Sequence, residues 1–155
     1  MFKLIDDYNN YFMNEAIFEA KNAYIIGEVP VGAVLVYKNK IIGRGHNMRE
    51  HTQNSTMHAE ILAINEACCN MHSWRLLDTK LFVTLEPCIM CCGAIINSRI
   101  SEVYYGTVNS KYDNDIDCLL ENNRMHKVIV KKNICKNECS SLLTDFFKNI
   151  RRKDH

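Results

Sequence analysis

The chain has 155 residues, of which 47% are hydrophobic and 24% are charged, and its formal net charge is +1. This length and composition are typical of one globular domain, so we predict a single domain over residues 1–155 and exclude fibrous and disordered proteins. No apolar run approaches the ~20 residues of a membrane span, and the acidic N-terminus does not resemble a signal peptide. We therefore expect a cytoplasmic protein without a membrane partner.

The spacing of apolar and turn-forming residues predicts alternating helices and strands. In chain order we predict a helix over 11–26, strands over 31–37 and 40–45, a loop over 47–56, a helix over 58–71, a strand over 81–85, a helix over 88–97, strands over 103–106 and 128–131, and a helix over 138–152. Lys38-Asn39 predicts a hairpin turn, and Ser55-Thr56 predicts the N-cap of the second helix. This alternation favours an α/β fold with a layered sheet and helices on both faces.

Two short motifs lie at predicted helix starts and carry metal-binding side chains. His58-Ala-Glu60 opens one helix, and Pro87-Cys88-Ile-Met-Cys91 opens another. Cys88 and Cys91, at positions i and i+3, lie on one helix face and can bind a single ion together with His58. The eight cysteines are better explained by metal binding and packing than by a disulfide framework, because no export signal is visible.

Three protein ligands indicate a catalytic metal site. Structural zinc sites are closed by four protein ligands, whereas catalytic sites keep one position for a water whose pKa falls to about 7. Glu60 is then predicted to carry protons without being a ligand. His58 and Glu60 can share a pocket only where the helix is just starting, because residues two apart point about 200° away from each other on a regular helix.

Three alternatives stay open on the residues alone. His46, His51 or Cys92 could complete a closed structural site, although Cys92 is turned about 100° from its neighbouring ligand on the helix. Iron could occupy the same ligand set as zinc. A non-catalytic, zinc-stabilised RNA-binding module is the third alternative, but a buried Glu60 would then bring only a desolvation cost.

The two motifs together resemble the zinc-dependent nucleoside and nucleobase deaminases. The resemblance extends from about Ala16 to Arg152 and narrows to the bacterial tRNA-specific adenosine deaminases. Its further carriers are Glu28-Val-Pro-Val-Gly-Ala-Val-Leu-Val36, Gly45-His-Asn47, Leu81-Phe-Val-Thr-Leu-Glu-Pro87, Ser98-Arg99, Asp145-Phe-Phe147 and Arg151-Arg152. It implies a three-layer α/β/α sandwich with a central mixed sheet, cytidine deaminase-like, and hydrolytic deamination of adenosine to inosine at the wobble position of a tRNA anticodon.

The resemblance also implies the roles of individual residues. His58, Cys88 and Cys91 would hold one Zn²⁺ per subunit, and Glu60 would be the catalytic proton shuttle while water attacks C6 of adenine. The base would be contacted by Asn47, Val29 and Ala59. From the residues alone, an Asn at that position is equally well explained as a turn residue.

A tRNA anticodon stem-loop and a second copy of the chain are the partners that the resemblance implies. Its RNA-binding candidates are Asn109, Lys111, Phe147, Arg151 and Arg152. The charge distribution agrees with a polyanion partner, since residues 124–155 carry nine Lys and Arg against three Asp and Glu. A deaminase of a free nucleobase, nucleoside or nucleotide is the alternative function, because it uses the same zinc chemistry.

The sequence departs from the family pattern in the segment after Thr107. Asn109 stands where the family usually has an acidic residue, and no glycine follows Lys111 in residues 112–115. Neither change touches the predicted metal ligands or the predicted proton shuttle.

Overall fold

The structure, a computed structural model that describes residues 1–111 and 115–155, alternates helices and strands along the chain. Its elements are α1 (Phe2–Ile25), β1 (Gly32–Tyr37), β2 (Lys40–His46), α2 (Arg49–Thr52), α3 (Ala59–Met71), β3 (Thr79–Leu85), α4 (Ile89–Asn97), β4 (Glu102–Thr107), α5 (Ile116–Glu121), β5 (Ile129–Lys131) and α6 (Lys136–Lys153). Residues 112–114, in the segment that lacks the glycines usual in the family, lie outside the described residues.

Five strands form one mixed sheet in the order β2-β1-β3-β4-β5. Strand β1 is antiparallel to β2 and to β3, whereas β3–β4 and β4–β5 are parallel pairs. The β1–β2 hairpin turns through Lys38 and Asn39, which both have positive φ, as a two-residue type I′ turn requires. Because parallel strands need a crossover, α4 connects β3 to β4 across one face of the sheet.

Helices cover both faces of this sheet, which gives the three-layer α/β/α sandwich. Helices α1 and α6 pack on one face, and α3, α4 and α5 pack on the other. Phe12 of α1 and Phe82 of β3 are buried in the first layer, and Ile95 of α4 and Leu81 of β3 in the second. Adjacent residues of β3 therefore point into different cores, which explains its continuous apolar run.

Glycines in the hairpin bring two helices unusually close to the sheet. A Cβ at Gly32 would overlap the carbonyl oxygen of Ala16 in α1, and a Cβ at Gly45 would overlap that of Ala59 in α3. Since α3 begins at Ala59, the glycine in β2 fixes the position of this helix start relative to the sheet.

The structure corrects several predicted boundaries. Helix α1 begins at Phe2 and not at residue 11. The prediction missed its first turns because their side chains are exposed and give no amphipathic signal before Asn9. The N-cap of α3 is His58 and not Ser55 or Thr56; the hydroxyl of Thr56 donates to Asn54 Oδ1 instead. The short helices α2 and α5 were not predicted. Within the two described ranges, no helix is long and apolar enough to cross a membrane.

Candidate active site

Two helix N-termini meet beside the carboxyl end of β3. This strand ends at Leu85, and Glu86-Pro87 leads directly to Cys88, the N-cap of α4. His58 is the N-cap of α3, and both N-caps have extended backbone. Each side chain therefore leaves the chain where the helix is only starting, and both line one cavity of about 590 Å³. The carboxyl ends of parallel strands are the usual place for a ligand in α/β sheets.

The ligand atoms of His58, Cys88 and Cys91 form a compact group. The Nδ1 atom of His58 lies 3.6 Å from the Sγ atom of each cysteine, and all three ligand atoms lie within 4.8 Å of one another. Zinc bonds of about 2.0–2.1 Å to nitrogen and 2.3 Å to sulfur, at a tetrahedral angle, require an N···S distance of about 3.6 Å. The three residues thus fit one tetrahedral ion with one coordination position left open.

The three residues weighed as a fourth ligand have other partners. Cys92 Sγ donates to the carbonyl of Pro87 and is buried in the core. His46 Nδ1 lies 3.1 Å from Glu19, and the ring of His51 contacts another carboxylate, described below. Among the residues that the structure describes, no fourth His, Cys, Asp or Glu joins the group.

Local electrostatics favour a thiolate in this group. A hydrogen bond from Cys91, supported by one from His58, lowers the pKa of Cys88 to about 4. The same hydrogen bond raises the pKa of Cys91, and burial adds to this effect. Cys88 is also the N-cap of α4, where the positive end of the helix dipole favours an anion. Since the thiolate is the form that binds a metal, Cys88 is ready to bind at neutral pH.

Glu60 is the second residue of α3 and lines the same cavity. Its side chain is only 3% exposed, and within the described part of the chain its Oε2 atom has no hydrogen-bond partner. Burial raises the pKa of this carboxyl above its usual value. A buried carboxyl with a raised pKa, free on one side and facing a cavity, is suited to take up and release a proton near neutral pH.

Asn47, Val29 and Ala59 also line the cavity, as the resemblance implies for contacts to a base. The Nδ2 atom of Asn47 donates to the Val29 carbonyl at 3.3 Å, and its Oδ1 atom accepts the backbone N–H of Arg49 at 3.1 Å. Asn47 is therefore a turn residue and a cavity residue at once. One amide hydrogen and one lone pair of Oδ1 remain for a ligand.

Four of the five RNA-binding candidates lie around the cavity. Asn109, Lys111, Phe147 and Arg151 line it, whereas Arg152 is exposed on α6 outside the lining. The Asn109 backbone N–H donates to Glu86 Oε2 at 3.2 Å, and Lys111 Nζ lies 5.3 Å from the centre of the Phe147 ring. The adjacent Phe146 is buried and packs against Tyr24.

Sequence reasoning missed several residues of the cavity wall. Arg49 and Glu86 line it, and so do Ser140, Leu143 and Thr144 of α6. The α6 residues were detectable, because positions 140, 143, 144, 147 and 151 share one helix face. Leu143 and Phe147 line the cavity, whereas Phe146 of the same helix is buried and packs against Tyr24.

Comparisons with known proteins agree with this fold. The MafB19-like deaminase family model matches residues 7–151. The tRNA-specific adenosine deaminase of Streptococcus pyogenes serotype M18 is 44% identical over 92% of this chain and 92% of its own length. That of Bacillus subtilis is 45% identical over 92% and 90%. A solved structure from studies of A-to-I editing by tRNA:A34 deaminases at the wobble position superposes with a TM-score of 0.80 at 35% identity, covering 86% of this chain and 99% of that one.

The three-layer fold and a His-Cys-Cys group beside a buried glutamate define a deaminase of the cytidine deaminase-like class. The chain belongs to the MafB19-like deaminase family and to the tRNA-specific adenosine deaminases, and it shares 44–46% identity with members of the latter. The resemblance and the fold class predicted from the sequence are therefore confirmed.

Proposed function

We propose that the chain hydrolyses adenosine to inosine at the wobble position of a tRNA anticodon. The observation that carries this proposal is the buried Glu60 carboxyl beside the His58, Cys88 and Cys91 group, in a cavity with basic residues at its rim. The relatives at 44–46% identity are named tRNA-specific adenosine deaminases, and a structural neighbour at 35% identity comes from studies of A-to-I editing by tRNA:A34 deaminases at the wobble position.

His58, Cys88 and Cys91 would hold one Zn²⁺ in each subunit. When bound there, zinc supplies a nucleophile at neutral pH, because it lowers the pKa of a coordinated water to about 7. The low pKa of Cys88 supports this role, since one ligand already carries its negative charge without the metal.

Glu60 is the proton carrier of the reaction. It accepts a proton from the attacking water and passes it to the amino group of adenine, which leaves as ammonia while the water oxygen stays on C6. Its burial in the cavity wall excludes bulk water from the carboxyl, and its raised pKa brings its two protonation states closer in free energy.

The cavity binds the base after it has left the base stack. Asn47 offers its remaining amide hydrogen and lone pair to the ring edge, and Val29 and Ala59 form apolar walls. A volume of about 590 Å³ is in the range of small-molecule sites and too small for a helix.

The basic rim binds the RNA around the flipped nucleotide. Lys111 and Arg151 lie close enough to the cavity to contact phosphates, and the Phe147 ring can stack on a neighbouring base. Arg152 would act from the exposed side of α6, and Asn109 lies in the segment held by Glu86. We also propose that residues 1–155 are one deaminase domain, which works in the cytoplasm as a homodimer.

The experiment that tests the function compares substrates of increasing complexity. The zinc-loaded protein is incubated with an anticodon stem-loop RNA whose first anticodon base is adenosine, and with free adenosine, cytidine and guanine. We expect inosine in the stem-loop only. The matched control RNA carries its only adenosine in the paired stem and should not react, because a paired base is costly to unstack. Activity on free bases or nucleosides alone would overturn the proposal in favour of a small-molecule deaminase.

A further inference from the structure

A second buried carboxylate, outside the candidate metal group, contacts the segment that carries Asn47. We propose that Glu28 and His51 form a positioning pair that holds Asn47 in the orientation required for the base, an inference that rests on the proposed function. Glu28 belongs to the connection between α1 and β1, and His51 belongs to α2.

The contacts of Glu28 are short and almost fully shielded from solvent. Its side chain is 1% exposed. The Oε1 atom accepts the backbone N–H of His51 at 2.7 Å and lies 2.9 Å from Nδ1 of the same residue. Burial acts to raise the pKa of Glu28, but these hydrogen bonds and the backbone N–H of Glu50 outweigh it and lower the pKa. The carboxylate is therefore charged at neutral pH, and charged acceptors make the stronger hydrogen bonds.

The segment from Asn47 to Met57 has few other attachments. Helix α2 buries none of its residues, so the hydrophobic core does not hold it. Among the described residues, the backbone bond from this segment to a distant part of the fold is that of Asn47 N–H to the Val31 carbonyl, whereas Met48 N–H bonds the Met57 carbonyl within the segment; both are 3.1 Å. A segment without buried side chains owes its order to such hydrogen bonds. The bond from His51 N–H to Glu28, at 2.7 Å, is shorter than the two bonds by which Asn47 is tied to Val29 and Val31.

The pair joins the two segments that carry Val29 and Asn47, the residues proposed to contact the base. Glu28 immediately precedes Val29, whose carbonyl accepts the Asn47 side chain. His51 lies one turn after Asn47, whose Oδ1 atom accepts the Arg49 N–H. The Glu28–His51 pair therefore joins the segment of Val29 to the segment of Asn47, and its loss frees the relative position of these two residues.

The first test is a double-mutant cycle on the zinc-loaded protein. We measure kcat/KM on the anticodon stem-loop for wild type, Glu28→Ala, Asn47→Ala and the double variant. Glu28→Ala should lower kcat/KM about 10- to 100-fold in the wild-type background, the worth of a hydrogen bond to a charged group. It should have an effect below about 3-fold in the Asn47→Ala background, because coupled residues are not additive. Equal losses in both backgrounds would overturn the proposal.

Two further variants separate positioning from loss of folding. Glu28→Gln keeps an oxygen for the His51 N–H and should recover most of the lost activity. Glu102→Ala is the matched control: Glu102 accepts a hydrogen bond from Tyr104 at the opposite end of β4 from the cavity. It removes a hydrogen-bonded, half-buried carboxylate away from the cavity and should leave kcat/KM within about 3-fold of wild type. A loss equal to that of Glu28→Ala would contradict a specific role of the pair.

Amide hydrogen exchange measures, without any substrate, how firmly the Glu28–His51 pair holds the segment that follows Asn47. In Glu28→Ala, exchange over residues 48–54 should be faster than in wild type, with unchanged rates in β3 and β4. Unchanged exchange over 48–54 would overturn the proposal even if activity falls. This measurement needs no turnover, so faster exchange over residues 48–54 supports the positioning pair whether or not the protein is active. Absence of activity of the wild-type protein on the stem-loop would count against the proposed function alone.

Discussion

Three glutamates near the cavity differ in what their carboxyls contact. Glu28 accepts hydrogen bonds from His51, and Glu86 accepts one from the Asn109 backbone. Glu60 is buried, and its Oε2 atom has no hydrogen-bond partner among the described residues. A buried acceptor without a partner costs free energy. This cost is explained if Oε2 of Glu60 binds the substrate. Glu60 then differs from Glu28 and Glu86, whose carboxylates accept hydrogen bonds from backbone N–H groups.

Metal retention distinguishes Cys91 from its neighbour Cys92. Cys91→Ala should lose stoichiometric zinc after dialysis, because one of three ligands is removed. Cys92→Ala is the matched control: it removes an adjacent buried thiol that bonds Pro87 and should keep one zinc per chain. Zinc is measured by elemental analysis of the purified variants. Equal zinc contents in the two variants would contradict the assigned ligand set.

The charge on Glu28 predicts a pH-dependent contribution to stability. Its pKa is lowered in the folded protein, so the carboxylate stabilises the fold above its usual pKa of 4.5, and this contribution is lost as the pH falls through the lower folded value. Glu28→Gln should therefore lower the free energy of unfolding at pH 7 by roughly 1 kcal/mol, because the amide oxygen keeps the hydrogen bond without its charge. The difference from wild type should shrink below about pH 4.5. Denaturant titrations across this range measure it, and a difference independent of pH would exclude the charge as its cause.

At the scale of elements, the closeness of β2 and α3 positions the metal group. Gly45 of β2 lies under the first residue of α3, Ala59, and the N-cap of that helix is His58. A side chain at Gly45 would push away the helix start that carries both Glu60 and His58, the proposed metal ligand. The spacing of sheet and helix is therefore part of the site.

Gly45→Ala should destabilise the protein and weaken zinc binding together. Overpacking of this kind costs about 1–3 kcal/mol, and the displaced helix start separates His58 from the two cysteines. The matched control is Gly93→Ala in α4, where an added Cβ meets nothing within 4 Å. This control should be neutral or stabilise by up to about 1 kcal/mol through helix propensity. Thermal unfolding and a competitive zinc chelator measure both effects; zinc affinity unchanged by Gly45→Ala would contradict the positioning role.

Elements were predictable from the sequence where a periodic pattern or a covalent constraint marks them. The β1–β2 hairpin, helix α3, strand β3 and helix α4 with its motif at Cys88 are of this kind. The first turns of α1 were not predictable, because Phe2 and its neighbours are exposed and follow no core pattern. Helix α5 is only one to two turns long; its single local signal is Asp115, whose side chain accepts the Cys118 N–H as an N-cap.

The site was predictable to the extent that its residues lie in short motifs. His58, Glu60, Cys88 and Cys91 lie within two helix starts, and the expectation that the helix is only starting at His58 and Glu60 agrees with the N-cap position of His58. The Glu28–His51 contact joins residues 23 apart along the chain, and no local pattern predicts such a pair. The same holds for Glu86, whose bond to Asn109 depends on how β3 and β4 lie side by side.

At the scale of the whole molecule, the basic residues are concentrated in the C-terminal part of the chain. Helix α6 brings Arg151 to the cavity and leaves Arg152 and Lys153 exposed at its end. Lys111 reaches the same rim from the segment after β4. Helix α6 and the segment after β4 therefore both place positive charge at the entrance to the cavity, as binding to an RNA loop requires.

Salt dependence tests whether this rim contacts phosphates. Arg151→Ala should weaken binding to the stem-loop and reduce the slope of log K against log salt by about 0.7 for one lost phosphate contact. The matched control is Lys127→Ala, an exposed lysine before β5, at the end of the sheet away from the cavity. Filter binding between about 50 and 200 mM salt measures both slopes. A slope unchanged by Arg151→Ala would contradict a phosphate contact.

The most direct test of the account is a single-turnover measurement of inosine in an adenosine-first anticodon stem-loop, with wild type and Glu60→Gln compared at equal zinc content. Glutamine keeps the shape of the side chain and removes only its ability to carry a proton. The account predicts inosine with wild type, a rate at least about 100-fold lower with Glu60→Gln, and equal affinity of both proteins for the RNA. Equal rates for the two proteins would contradict the central role of Glu60, and the absence of inosine with the zinc-loaded wild type would contradict the proposed reaction.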